Sequence, residues 1–220
     1  MDGESFDAVV QRASAMASRR GVLHAGVGVL AGTALGLVGL SSREEVEARR
    51  RRRPPCGAGG PCRVFVTSTA YGGSIGGLTG ADEICQIFAD GANLPGTYKA
   101  WLSDSSASPS TRFVRSTGPY RLVDGTQIAA DWAHLTDGSL RAPITLTENG
   151  DTVNDSYYVW TYTKVDGTGG TSGEHCGNWT AATGNGFRGT AAYKDSNWTQ
   201  SGSAACNTGQ HIYCFQQSGR

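Results

Sequence analysis

Ala81-Asp82-Glu83-Ile84-Cys85-Gln86-Ile87-Phe88-Ala89 sets Ala81, Ile84, Cys85, Phe88 and Ala89 at i, i+3, i+4, i+7 and i+8, which is one face of a helix. Thr79 is the expected N-cap, with Asp82 and Glu83 complementing the first-turn dipole. Cys85 stands on the apolar stripe, so a bond from it pins the helix to the core. Outside this stretch, long amphipathic patterns are scarce. Gly, Ser, Thr and Asn abound instead, and all five Trp lie beyond residue 62. That composition predicts short strands and many turns around one core.

Moving outward, Val64–Thr69 alternates apolar and polar residues and predicts an opening strand, followed by a Gly-rich loop over 71–80. Tyr98–Leu102 predicts a second strand and Asp104–Thr111 a Ser/Pro loop. Tyr120–Val123 and Thr126–Ala129 flank Asp124-Gly125, a dipeptide that favours tight hairpin turns. Asp131–Leu135 predicts a short capped turn with Trp132 packed inward. Ile144–Leu146, Tyr157–Tyr162, Phe187–Ala192, His211–Gln216 and the surroundings of Trp179 predict further strands, and Val165–Glu174 a loop. The order of these elements gives an α+β domain over residues 62–217.

The 220 residues divide in composition near Cys56. Residues 1–61 hold nine Lys and Arg against six Asp and Glu, whereas 62–220 hold ten against thirteen. Neither part carries the strongly basic face of a nucleic-acid binder. Arg19-Arg20 precedes an apolar, charge-free run over 21–40. A paired arginine before a Gly/Ala-rich apolar segment resembles a twin-arginine export signal, so 1–40 reads as a signal or, alternatively, as a membrane anchor. Residues 41–61, with Arg49–Arg53, Pro54 and Pro55, read as a basic, Pro-containing linker.

Six cysteines at 56, 62, 85, 176, 206 and 214, an even count behind an export-like segment, read as a disulfide framework in a secreted or envelope-associated protein. There is no Cys-x-x-Cys pair to suggest structural zinc. Sequence alone leaves fifteen pairings open.

Gly80-Ala81-Asp82-Glu83-Ile84-Cys85-Gln86 followed by Gly96-Thr97-Tyr98-Lys99-Ala100-Trp101-Leu102-Ser103 resembles the opening of endostatin-like domains. The close is similar: Cys176-Gly177-Asn178-Trp179, then Gly202–Cys206, then His211-Ile212-Tyr213-Cys214. These domains belong to the C-type-lectin-like fold, and exported bacterial proteins such as the leptospiral endostatin-like surface proteins look similar. The resemblance implies one principal helix with short antiparallel strands and long loops. It also implies the disulfides Cys85–Cys214 and Cys176–Cys206. Cys56 and Cys62 are left over for a local bridge at the start of the domain.

Lectin-like domains that hold sugar through calcium carry Glu/Gln-Pro-Asn/Asp and Trp-Asn-Asp motifs, and oxygen ligands of that kind suit calcium. Here Trp198-Thr199-Gln200 occupies the second place and no Pro follows residue 143. Calcium at that site is therefore not expected, and neither is any other metal or cofactor. Asp151, Asn154 and Asp155 offer a polar turn with a calcium-binding alternative. Endostatin's N-terminal zinc histidines have no counterpart, since no His lies between 62 and 133, and Arg112, Arg115, Arg121 and Arg141 are the only loose group facing heparin-like sulfate.

Gly72-Gly73-Ser74-Ile75-Gly76 matches Gly-x-Ser-x-Gly, but the helical pattern behind it starts too late for a nucleophile elbow. The paired Asn-Trp-Thr at 178–180 and 197–199 reads as core packing, with Trp179 and Trp198 as alternative ligand contacts beside His175. The expected protein is an exported, non-enzymatic binding module. It presents the loops 165–174, 181–187 and 195–203 to an extracellular protein or glycan without calcium. A hydrolase acting on a cell-surface polymer and a purely structural envelope module are the alternatives.

Overall fold

A computed structural model describes residues 54–154 and 157–219. The export-like segment with Arg19 and Arg20, most of the linker, and Asp155 lie outside the described residues.

His211–Ser218 (β8) organises the sheet. Its apolar run, Ile212 to Phe215, has no exposed residue, as a strand covered on both faces requires. On one edge it pairs antiparallel with Cys62–Val66 (β1), placing Phe65 opposite Cys214. On its other edge Thr97–Ala100 (β2) pairs antiparallel with the C-terminal half and Tyr158–Trp160 (β5) pairs parallel at His211 and Ile212. Beyond β1 lie Tyr120–Leu122 (β3), parallel to it, and Gln127–Ala129 (β4). Beyond β5 lie Asn185–Thr190 (β6) and Gly202–Ala205 (β7), each antiparallel to its neighbour. The eight-stranded sheet is thus mixed. The expectation of antiparallel strands fails at β1–β3 and β5–β8, because the chain leaves and re-enters the sheet through long connections that permit parallel pairing.

Alternation along β8 supplies two cores. Ile212 and Cys214 face the principal helix Gly77–Gly91 (α1) through its buried Ala81, Cys85 and Ala89. Tyr213 and Phe215 face an aromatic layer that includes Trp101, Trp198, Phe113 and Tyr120. Within that layer the Trp101 and Trp198 rings lie 4.9 Å apart and Trp101 and Phe215 5.4 Å. Each such side chain contributes about 1.5–3 kcal/mol on full burial. Trp132, in the short helix Trp132–Leu135 (α3), is half-buried against Trp101 and Phe113. Its cap is as expected: Asp131 accepts from the His134 N–H at 2.8 Å.

Helix α1 begins earlier than the apolar spacing predicts. Gly76 in left-handed conformation (φ 82°) replaces Thr79 as N-cap, with no side-chain bond. Gly80 permits this start, since a Cβ there would sit 2.0 Å from the Ile75 carbonyl oxygen. Asp82 and Glu83 consequently miss the first turn. Asp82 instead accepts from the Ala100 N–H at 2.9 Å, and both its carboxylate oxygens accept from the one Arg112 Nη2 at 2.6 Å, tying α1 to β2 and to the short helix Pro109–Arg112 (α2). That helix occupies part of the predicted 104–111 loop.

Three further differences have local causes. Ile144–Leu146 is no strand; Leu146 and Thr147 make only isolated bridges, to Thr152 and Val66. Strand β7, Gly-Ser-Ala-Ala, has small, weakly apolar residues that give no strand signal in sequence; it is held by pairing with β6, with Ala204 packed against the core. Trp179 lies not in a strand but in the turn Cys176–Trp179 (α4), whose four residues all have positive φ, from 49° to 63°. The linker boundary also shifts: Cys56 is 5% exposed and its N–H donates to the Gly219 carbonyl at 2.9 Å, so 56–61 packs onto the domain.

The sulfur pairs are Cys85–Cys214, Cys176–Cys206 and Cys56–Cys62, with no free thiol among the described residues. They join α1 to β8, the α4 turn to the end of β7, and the first turn to β1. Three disulfides fit an oxidising, exported location, and no described helix is long and apolar enough to cross a membrane.

Candidate functional site

Trp179 and Trp198 are fully buried and cannot meet a ligand. Both belong to the cores, where the Trp179 Nε1–H donates to the Ser103 carbonyl at 2.6 Å and Trp198 packs on Trp101 and Tyr213. The sequence repeat therefore marks aromatic packing, not paired sites. His175 is partly exposed, but its Nδ1 accepts from the Asn178 N–H at 2.8 Å and its ring meets Tyr162 edge-on at 5.0 Å.

The α4 turn that His175 caps is a left-handed turn with three non-glycine members, each costing about 1–2 kcal/mol. Several bonds offset this. Cys176 is bridged to Cys206, the Trp179 carbonyl accepts from Ile75 N–H at 2.9 Å, and the Asn178 Oδ1 accepts from Ser105 N–H at 3.1 Å. The turn thereby fixes the segment containing Ser74. The Ser74 hydroxyl donates to the Thr180 carbonyl at 3.0 Å. Each of the domain's histidines has one ring nitrogen engaged elsewhere: the His134 Nε2 accepts from Arg141, the His175 Nδ1 from the Asn178 N–H, and the His211 Nδ1 pairs with the Thr67 carbonyl, while the His134 Nδ1 is buried without a partner. Helix α1 starts at Gly77, not at Ser74, so the strand–Ser–helix elbow is not formed there.

Of the calcium alternative at Asp151, Asn154 and Asp155, the last lies outside the described residues. Among the described residues no group of three or more His, Cys, Asp or Glu is placed to hold a metal. Arg112 is committed to Asp82 and the Leu102 carbonyl, Arg115 to the Ser110 carbonyl and the Trp132 ring, and Arg121 to Gly125 and Gln127. They form no sulfate-binding array.

Among the described residues, two concavities lie on opposite faces of β6. The first is a shallow groove of about 120 Å³ between Tyr162–Lys164 and Gly170–Ser172 on one side and Phe187 and Gln200 on the other. Its walls are fixed. Gly170 lies against the Tyr162 ring, where a Cβ would come within 2.7 Å, and the Tyr162 hydroxyl accepts from the Gly173 N–H at 3.0 Å. The Gln200 Oε1 accepts from the Val165 N–H at 3.1 Å, and the Phe187 N–H donates to the Glu174 carbonyl at 2.7 Å. This groove unites the three loop segments expected to carry the binding surface.

The second is a polar cleft of about 300 Å³ lined by Tyr158, Arg188, Thr190, Tyr193, Asn197 and Ser201. Asn197 and Ser201 belong to the expected loop segment 195–203, whereas Tyr158, Arg188, Thr190 and Tyr193 were not offered as contacts by the sequence reading. Its members come from β5, β6 and the segment 193–201, and no spacing rule links them.

Of the histidines, His211 has its pKa lowered from 6.5, chiefly by burial. Bonds to Thr67 and Thr69 and the nearby Glu148 carboxylate act the other way. Its ring stacks on Tyr157 at 3.9 Å, beside a buried Glu148 that accepts from the Ser68 N–H at 3.0 Å. This is a packed polar cluster.

A scan against protein-family models finds no match to the chain, and a search of curated proteins finds none either.

Proposed function

We propose that this protein is an exported C-type-lectin-like binding module that takes its ligand on the loop face, without calcium. The observation that carries the reading is the Tyr162–Phe187 groove, because Gly170–Ser172, Phe187 and Gln200 bring together all three loop segments in one rigid concavity. An aromatic floor with a hydroxyl- and amide-bearing rim suits one face of a sugar ring or one side chain of an extracellular protein. The C-type-lectin-like assignment is supported by the order of disulfides, by the single long helix bonded to the last strand, and by the adjacency of β1 and β8 at the two ends of the domain. It draws further support from the long insertion between β2 and β8 that carries both concavities.

The test is a glycan and matrix-protein array probed with the oxidised protein, with and without EDTA. Thr171 and Ser172 are exposed, so Ser172→Trp fills the groove without touching the core. Binding that survives EDTA and falls about tenfold or more in Ser172→Trp is the expected outcome, as a blocked pocket requires. Binding abolished by EDTA, or unchanged in Ser172→Trp, overturns the reading.

A further inference from the structure

Arg188 stands on β6 with its side chain on the face opposite Phe187, as strand alternation dictates. Its guanidinium lies 3.6 Å from the centre of the Tyr158 ring, a stacking geometry that holds the planar fork flat. Tyr158 sits on β5, where it pairs with Thr190 while Trp160 pairs with Arg188; the two stacked side chains are thus diagonal neighbours on one face of the sheet.

Arg112, Arg115, Arg121 and Arg141 are each bonded to a carbonyl, a carboxylate or a histidine. The Arg188 side chain has no ion pair or hydrogen bond among the described residues, and its Nε is buried without a partner. A buried arginine N–H with nothing to donate to is uncommon. Around it the cleft is ready for polar contact. Thr190 Oγ1 donates to Ser201 Oγ at 2.9 Å, Asn197 lines the same wall, and the Tyr193 ring is 49% exposed at the rim.

We infer that this cleft is a binding subsite for a carboxylate-bearing sugar, a uronic-acid residue of an acidic glycan. Arg188 receives the carboxylate through its planar fork. Tyr193 covers the C–H face of the ring, and Asn197 and the Thr190–Ser201 pair meet hydroxyls. Three observations narrow the ligand. Densely sulfated polymers need clustered cations, but residues 62–220 carry thirteen acidic against ten basic side chains, so one carboxylate suits the cleft better than a polyanion. An extended peptide needs an open strand edge, whereas β6 is paired on both sides, with β5 and β7. The lining is rich in hydroxyl and amide groups, matching a hydroxylated ring. The assignment rests on reading the chain as a binding module, but not on the groove across the strand.

The experiment is an NMR titration of the isotope-labelled, oxidised protein with glucuronic acid, glucose and a short polyglutamate peptide. Glucuronic acid is expected to shift the amide signals of Arg188, Tyr193 and Asn197, with glucose about tenfold weaker or worse, since only the carboxylate engages the fork. Arg188→Lys should weaken glucuronic acid about tenfold, because an ammonium lacks the planar donors, and Arg188→Met should abolish it. The groove-filling Ser172→Trp should leave it unchanged, so failure here and failure of the groove are read separately. Equal binding of glucose, tighter binding of the peptide, wild-type binding by Arg188→Met, or absence of shifts in the cleft overturns the inference.

Discussion

Removing the Cys85–Cys214 bond by substituting both residues with Ala should destabilise the domain more than removing either other bond. The bonded residues are 129 apart in sequence, against 30 for Cys176–Cys206 and 6 for Cys56–Cys62. Loop-closure entropy then gives contributions of about 5, about 3.5 and about 2 kcal/mol respectively. Both Cys85 and Cys214 are fully buried between α1 and β8, so lost sulfur packing adds to the first figure. A loss of about 5 kcal/mol approaches the whole stability of many domains, and the double variant should have a guanidinium midpoint near zero. Denaturation followed by the fluorescence of the buried tryptophans measures all three variants on one scale. If the Cys85/Cys214 variant retained a midpoint above that of the Cys56/Cys62 variant, at an unchanged denaturant slope, the reasoning from loop length would be refuted.

Gly189→Ala should lower stability by about 2–3 kcal/mol, because its Cβ would stand 2.0 Å from the Trp198 carbonyl oxygen; Gly91→Ala, with nothing within 4 Å, should be neutral or stabilising in the same thermal melts. Arg112→Met should cost about 1.5–3 kcal/mol, as it leaves Asp82 holding only the Ala100 N–H, and chemical denaturation reads the loss. His211 should make stability fall as pH drops below its ordinary 6.5. Burial lowers its folded pKa, so the unfolded chain takes the proton first. The contribution is complete above 6.5 and lost on the way down to the folded value, and His211→Gln should flatten that slope. Burial pushes Asp104 and Asp166 upward, but bonds from Ser106, Ala107 and Thr168 hold both below the usual carboxylate range, outside this window.

The apolar stripe of α1, the Asp124-Gly125 hairpin and the Asp131 cap were legible because each is a local pattern with a local cause. The start of α1 was not, since a left-handed Gly76 leaves no capping side chain to read. Asp82 looked like a dipole residue because its partner, Arg112, is 30 positions away. Strand β7 and the α4 turn are imposed by pairing with β6 and by the Cys176–Cys206 bond, which no propensity reflects. Around the concavities, residues from all three expected loop segments meet in one groove, whereas the two tryptophans offered as ligand contacts are buried. Trp179 and Trp198 serve the cores, while Tyr162, Phe187, Tyr158 and Tyr193 shape the concavities. Arg188 carried no signal in its own neighbourhood. Its significance is that other arginines found partners and it did not.

Strand β8 is the last one made and the one to which β1, β2 and β5 all bind. A growing chain that has not yet delivered His211–Ser218 holds three strands without their common neighbour and Cys85 without the thiol it must join. Only the bonds spanning 6 and 30 residues can form before then. A chain cut short before β8 would leave both cores open to water and Cys85 without its partner, two marks by which proteases and chaperones recognise unfinished protein. The sheet therefore cannot be completed until residues 211–218 have been made.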